Sequence, residues 1–551
     1  MSHLPPRSVH ERLKASSRLL RGRLAELLAG SRGGATAEDL ALLHFHGVWR
    51  CPAAEGAAEG GGERWGVRVR VPGGRLSPTQ YLILEALAAD HGDGSFRLTT
   101  RQGVQFQGIQ WADLRPLIAE LNHNQLTTLG AGGDVVRSVM VAPGPFRTPI
   151  QRRLEHEAYR LARHFLPRSR AYGELWLGEA PGSEASGPEV ADSDGGGREP
   201  VYGPTYLPYG FRIGLATPED AGGDLLANDL AAIGLFEAEA LVGWNLTAGG
   251  GSGGGMPPSG LLGFIDSDEL LPAAECLVRL FRDHGDRLNR QNGRFRRLVA
   301  ERGEDWLVAE LGAALGHALE PPRPMPEFAV LPSLGWHAQG DGRWSLGLPV
   351  RGGRIADQPG CLLRTALRRI VERYWAGLIL TPDQNLIVTN LPDRDRAAIE
   401  SGLRRFGVWL VDDLVPVEYG TVTCLGAPGC GRAEAGAELI RDRLVDQLVE
   451  VTARHGVIRE PIGVRIAGCQ AGCIRTRLGE IGIAGCGPGR YRVSVGGNTA
   501  GTRLGRVVAE DLPEPRIIEI LETWIAGFAR DRAPGERFGD YCWRVGMGDG
   551  I

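Results

Sequence analysis

An α/β (α+β) chain with a duplicated unit is what this sequence predicts. From Trp65, the segment WGVRVRVPGGRLS alternates apolar and polar residues up to a Gly-Gly turn. It then runs into a helix-like stretch and returns as FRLTTRQGVQFQGI. From Trp344, WSLGLPVRGGRIA follows the same course and returns as LILTPDQNLIVTNLP. Alternation at a period of two marks strands, and paired glycines mark the turns that end them. Further helix-like stretches follow each copy, at 114–121 and 394–406. Identities between the copies are few, so the shared order of elements carries the argument for duplication. Antiparallel strand pairs under covering helices follow. A pseudo-twofold groove between the copies is a natural seat for a large planar cofactor.

The remaining chain frames these units. Its 551 residues suggest about three or four domains. The expected division is 1–64 as an N-terminal extension, 65–129 plus 334–410 as the related units, and 130–333 and 411–551 as two further domains. Residues 15–45 read as helical, with Leu19, Leu20, Leu24, Leu27 and Leu28 at helical spacing. Polar, glycine-rich stretches at 53–63 and 182–198 read as surface loops. Basic and acidic residues number 62 and 66, a net charge of -4, which calls for neither nucleic acid nor a membrane surface. No apolar run is long enough to span a bilayer, and the first residues lack a signal peptide's apolar core. A cytoplasmic location is expected. In that reducing compartment the nine cysteines are ligands or buried apolar groups, not a disulfide framework.

Four cysteines stand apart. Cys424 and Cys430 form C-x5-C, and Cys469 and Cys473 form C-x3-C, all among glycines. Structural zinc favours tighter hairpins. The wider first pair suits a 4Fe–4S cluster, with glycines letting backbone N–H groups approach its sulfurs. Cys51, Cys276, Cys361, Cys486 and Cys542 have no such setting. Arginine supplies nearly all the positive charge, Lys14 being the one lysine. Arg97, Thr99, Arg101 and Gln105 fall at even spacing and are expected on one strand face. Arg68 and Arg70 alternate with valines, Arg137 lies in DVVRSVM, and Arg287, Arg290, Arg294, Arg296 and Arg297 cluster further on. Such runs are either a solvated basic face or a set of forks for a ligand with many carboxylates. The glycines 249–255 after GWNLTA are either a flexible loop or a close backbone approach to a cofactor. No G-K-S/T follows, which argues against a P-loop, and no dinucleotide fingerprint follows a strand.

RLTTRQGVQFQGI, the two cysteine pairs and GEIGIAGCGPGRYRVSVGGNTAGTRLG together resemble the siroheme-dependent sulfite and nitrite reductases. HFHG, LPRSRAYGELWL, TYLPYGFR, DQNLIV and the closing FGDYCWRVGM extend the resemblance from about residue 15 to the end. It implies a three-domain architecture with a pseudo-twofold repeat of ferredoxin-like units, the domains at 130–333 and 411–551 binding siroheme and the cluster. It implies a 4Fe–4S cluster on Cys424, Cys430, Cys469 and Cys473, with Cys473 bridging to the siroheme iron. Siroheme contacts are expected from Arg97, Thr99, Arg101, Gln105, Asn245, Gly249, Gly250, Arg294, Arg296, Gln384 and Asn385. The family's anion site uses two arginines and two lysines. The arginines fall on Arg68 and Arg137, one lysine on Arg212 and the other on Gly210. GCQAGC also departs from the family's G-C-P-N-G/S-C, and Gln107 stands where histidine is common.

The implied activity is six-electron reduction of sulfite to sulfide. Electrons would come from a separate NADPH-dependent flavoprotein or from ferredoxin. The alternatives are nitrite reduction to ammonia, a cobalamin-pathway monooxygenase of the same fold, and a redox carrier that lost turnover through Gly210.

Overall fold

The strand alternation at Trp65 and Trp344 builds two antiparallel sheets that trade an edge strand. In a computed structural model describing residues 9–17, 19–30, 34–52, 63–178, 199–222, 224–251, 260–290 and 293–546, each sheet has five strands. The first orders Val48–Arg50, Trp65–Val69, Val104–Ile109 and Phe96–Leu98, then takes Arg354–Ile355 from the second unit. The second orders Gly335–Ala338, Arg343–Leu348, Leu386–Pro392 and Leu378–Leu380, then takes Arg75–Leu76 from the first. The expected turns make this exchange possible. Gly73 and Gly74 have φ of 64° and 73°, and Gly352 and Gly353 have 57° and 70°. Two successive left-handed residues are a conformation that glycine adopts without penalty.

Two glutamines lock the exchange. Gln102 Nε2 donates to Leu380 O at 3.1 Å, and Gln384 Nε2 donates to Leu98 O at 3.1 Å. Each amide oxygen accepts from the neighbouring sheet: Gln102 from Val141 N at 2.9 Å, Gln384 from Thr423 N at 3.0 Å. The helices Pro78–His91 and Leu363–Tyr374 pack against each other over the two sheets. Ser77 starts the first with a capping box closed by Gln80.

Duplication extends further than the sequence shows. Met140–Val141, Ile213–Ala216 and Leu230–Glu237 run parallel, and Ala240–Ala248 and Leu261–Asp266 continue antiparallel. Thr421–Thr423, Val464–Ala467 and Ile481–Gly487 repeat the parallel set, and Arg490–Val495 and Arg506–Pro513 the antiparallel one. One apolar core runs from Leu20 to Leu410, and a separate one fills the last sheet from Val417 to Cys542.

The helical reading of 15–45 is corrected. Helices Val9–Ser16, Leu24–Ala29 and Ala37–Phe45 are separated, because Leu19 and Leu20 are left-handed (φ 57° and 72°) and Thr36 caps a fresh helix with Asp39. The loop readings at 53–63 and 182–198 lie almost wholly outside the described residues. No described helix is long and apolar enough to cross a membrane.

Candidate functional site

Cross-strand register assembles a polar row. Arg68 pairs with Gln105, Gln105 with Arg97, and Arg97 with Arg354, so these four side chains share one face of the first sheet. Arg68 Nη2 donates to Gln105 Oε1 at 3.0 Å, and its guanidinium lies 5.1 Å from the Trp49 ring. Arg97 Nε donates to Gly352 O at 2.7 Å and Nη1 to Glu438 at 3.2 Å.

The expected shared face of Arg97, Thr99, Arg101 and Gln105 holds only for Arg97 and Gln105. The strand stops at Leu98, and residues 99–103 form a turn in which Thr99 Oγ1 accepts from Gly103 N at 3.0 Å. Gln102 is left-handed there. Arg101 therefore swings toward the neighbouring sheet and donates to Ser138 O at 3.2 Å and Asn228 Oδ1 at 3.1 Å.

Arg137 reaches the same region from the chain segment that bridges to Phe211. Its Nη1 donates to Ala131 O at 2.8 Å, and its guanidinium lies against Gly210. A Cβ at position 210 would stand 3.0 Å from Arg137 Nη2 and 3.1 Å from Cζ, and closer still to Nε. Arg212 donates its backbone N–H to Asp229 at 2.9 Å. Tyr209 is clasped by cations, with Arg294 3.7 Å and Arg290 5.1 Å from its ring.

The electrostatics show an excess of buried positive charge. Burial, reinforced by Arg68, brings the Arg137 guanidinium down to about 9. Burial also brings Arg70 down to about 10 and pulls Arg101 well below the usual range. Burial pushes the Tyr209 hydroxyl up, but Arg294, Arg432 and Arg137 outweigh it and hold the group below its ordinary value. Arg68 Nε, Arg70 Nη1, Arg97 Nη2 and Arg101 Nε are buried with no hydrogen-bond partner. Unpaired buried donors of this kind are costly, and a ligand bearing several carboxylates fits them.

Parallel pairing brings the cysteine pairs together. Cys424 follows Thr421–Thr423, and Cys469 follows the adjacent parallel strand Val464–Ala467. Gly468 N donates to Cys424 Sγ at 3.2 Å. Burial pushes the Cys424 thiol up to about 12. Cys473 O accepts from Thr100 Oγ1 at 2.8 Å, which seats this loop on the 99–103 turn. Cys473 lies within electrostatic reach of Cys424, Cys469 and Arg68. Among the described residues no three His, Cys, Asp or Glu side chains are close enough to hold a single metal ion. Four thiolates on a cube each serve a different iron, so they stand further apart than ligands of one ion.

Other expected contacts have protein partners. Gln384 is the interdomain lock described above. Asn385 Oδ1 accepts from Val350 N at 3.0 Å, and Asn245 exchanges hydrogen bonds with the Arg323 backbone. Gly249 packs beside Val299, and Gly250 is a glycine because Leu226 O would stand 2.6 Å from a Cβ there. Arg296 reaches back over Gly251. The glycines beyond 251 in that run lie outside the described residues.

Tyr209 and Arg475 were missed by sequence reasoning. Arg475 donates to Thr100 O at 2.7 Å and pairs with the buried Asp224, which Arg465 grips at 2.9 and 3.0 Å. A charged residue two places after Cys473 was the available signal. Cys51, set aside on sequence, has its thiol pushed up by burial and lies within electrostatic reach of Cys430.

Two family models match this chain. One, the nitrite and sulphite reductase 4Fe-4S domain, covers residues 162–319. The other, the nitrite/sulfite reductase ferredoxin-like half domain, covers 57–124 and 337–406. The sulfite reductase (NADPH) hemoprotein beta-component of Myxococcus xanthus is 37% identical, covering 99% of this chain and 98% of that protein. The protein of that name from Staphylococcus saprophyticus is 34% identical, covering 98% and 95%. In fold, the chain is similar to the Mycobacterium tuberculosis NirA protein, with a TM-score of 0.79 at 21% identity over 98% of this chain and 97% of that one.

Proposed function

We propose, because the chain belongs to the nitrite and sulfite reductase family, that it carries siroheme and a 4Fe–4S cluster and reduces sulfite to sulfide with six electrons. The observation that carries this reading is the set of buried, partnerless N–H groups of Arg68, Arg97 and Arg101 near the cysteine loops. Arg97, Arg101, Arg294 and Arg296 are the candidates for the siroheme carboxylates. Cys424, Cys430, Cys469 and Cys473 would hold the cluster, Cys473 shared with the siroheme iron. When bound, siroheme supplies the iron that takes the anion and the cluster supplies electrons one at a time.

The chain's own part is electrostatic. Arg68, Arg137 and Arg212 bind a doubly charged oxyanion, orient it and stabilise the charge on its oxygens. An arriving anion favours the charged form of Arg137, which burial has brought down to about 9. Arginine ordinarily keeps its protons, so those lost with the departing oxygens arrive through water. No nucleotide fingerprint is present, so electrons reach the chain from a separate protein. The relatives' name favours an NADPH-dependent flavoprotein over ferredoxin. We place it in the cytoplasm, where reducing conditions keep thiols available as ligands.

Purification from a siroheme-producing host tests the reading. Siroheme absorption bands with about four further irons and matching labile sulfide are expected. Cys473→Ser should lose the electronic coupling between the two centres. A colourless, iron-free protein overturns the reading, and faster turnover of nitrite than of sulfite reassigns the substrate.

A further inference from the structure

Lys14 is the single lysine in a chain that otherwise uses arginine, and it is buried, only 3% exposed. It lies in the helix Val9–Ser16, and its ammonium has three partners: Glu11 one turn back, Asp134 Oδ2 at 3.2 Å and Leu207 O at 2.7 Å. Three donors on one small tetrahedral nitrogen suit three acceptors, where a planar guanidinium fork does not. That is a physical reason for lysine at this one position. Two of the partners begin the segments that carry anion-site residues. Leu207 N donates to Asp134 O at 2.9 Å, Phe211 N to Val135 O at 3.0 Å and Arg137 N to Phe211 O at 2.8 Å. Residues 134–137 and 207–211 are thus zipped together, and Lys14 fastens the end where both start. Three residues on, the same pairing brings Arg137 against Gly210. Arg290 grips the same carboxylate at 2.7 Å through both Nη atoms and lies 5.1 Å from the Tyr209 ring. Arg287 joins Glu11, at 2.5 Å, to Tyr206 O, at 2.7 Å, a second tie between the helix and this region.

We propose that Lys14 is a positioning residue for the anion site: it makes the helix Val9–Ser16 a strap that holds the two segments in register and so fixes the Arg137 guanidinium against Gly210. This rests on the reading of Arg137 as an anion ligand. Arg290 still grips Asp134 when Lys14 is lost, so the disturbance is confined to the two segments. Loss of a charge-assisted hydrogen bond that holds a binding group in place corresponds to about a tenfold change in affinity.

The test is hydrogen exchange of the holoenzyme together with equilibrium titration by sulfite. Carbon monoxide binding to the reduced protein is the uncharged control. Lys14→Met should speed exchange of the Leu207, Phe211 and Arg137 amides about tenfold and leave the sheet amides unchanged. It should weaken sulfite binding about tenfold at unchanged carbon monoxide affinity, and that loss should vanish in an Arg137→Gln background. Lys14→Arg keeps the buried charge, and so the fold, and should show the same losses in smaller degree. Wild-type exchange at these amides in both variants overturns the proposal, as does a sulfite loss additive with Arg137→Gln. Exchange that rises throughout the chain also overturns it and makes Lys14 a general support of the fold. If wild-type holoenzyme binds no sulfite, the functional reading fails, while the exchange measurement still decides whether Lys14 holds the segments.

Discussion

Replacing Gly210 by alanine or lysine should weaken the anion site, although lysine would restore a charge at that position. Gly210 has no left-handed backbone, so a side chain is not excluded by conformation. What excludes it is Arg137, whose Nη2 and Cζ would stand 3.0 and 3.1 Å from the new Cβ, with Nε closer still. The guanidinium must move, and its 2.8 Å hydrogen bond to Ala131 O breaks. A hydrogen bond from a charged donor to a buried carbonyl is worth about 2 kcal/mol, or roughly 30-fold in affinity. The assay is a double-mutant cycle on the sulfite dissociation constant with Gly210→Ala, Arg137→Gln and the pair. Gly210→Ala should cost about 30-fold alone and little once Arg137 is gone. Additive losses would mean that Gly210 does not act through Arg137, and so would a Gly210→Lys protein that binds sulfite more tightly than wild type.

Asp224→Asn should destabilise the fold by about 3 kcal/mol, because it leaves the buried Arg465 and Arg475 without their shared carboxylate; denaturant unfolding measures this. Gln384→Ala and Gln102→Ala should cost similar amounts, about 2 kcal/mol each in the same assay, since the two amides make equivalent contacts across the exchanged strands. His46 should make the protein acid-sensitive. Its Nε2 donates to Leu20 O and its Nδ1 accepts from Trp176, which fixes the neutral ring, and burial brings it from 6.5 to about 4. The unfolded chain takes up that proton first, so up to about 3 kcal/mol is present above pH 6.5 and is lost as pH falls toward 4. His46→Gln should flatten that part of a stability–pH profile.

The duplicated units were legible because their signals are local: alternation and paired glycines. The arginine face was legible as far as Leu98. Beyond it a turn imitated the strand's spacing, and only the left-handed Gln102 shows where the strand ends. Gln384, Asn385 and Asn245, expected by resemblance to contact siroheme, each have backbone partners, and residue type alone does not tell a cofactor contact from a backbone one. The matching pair of parallel–antiparallel sheets was invisible, since a ladder is set by backbone pairing and leaves few shared side chains.

The traded edge strands bear on how the molecule is made. On a ribosome, Phe96–Leu98 emerges long before Arg354–Ile355, the strand that finishes its sheet. Until then the amino-terminal portion exposes an unsatisfied row of backbone groups, a template for wrong pairing. Contacts so distant in sequence also form late. Severing the polypeptide near residue 334 should therefore yield two sticky fragments, not two working modules. Loading of prosthetic groups should therefore follow completion of the chain.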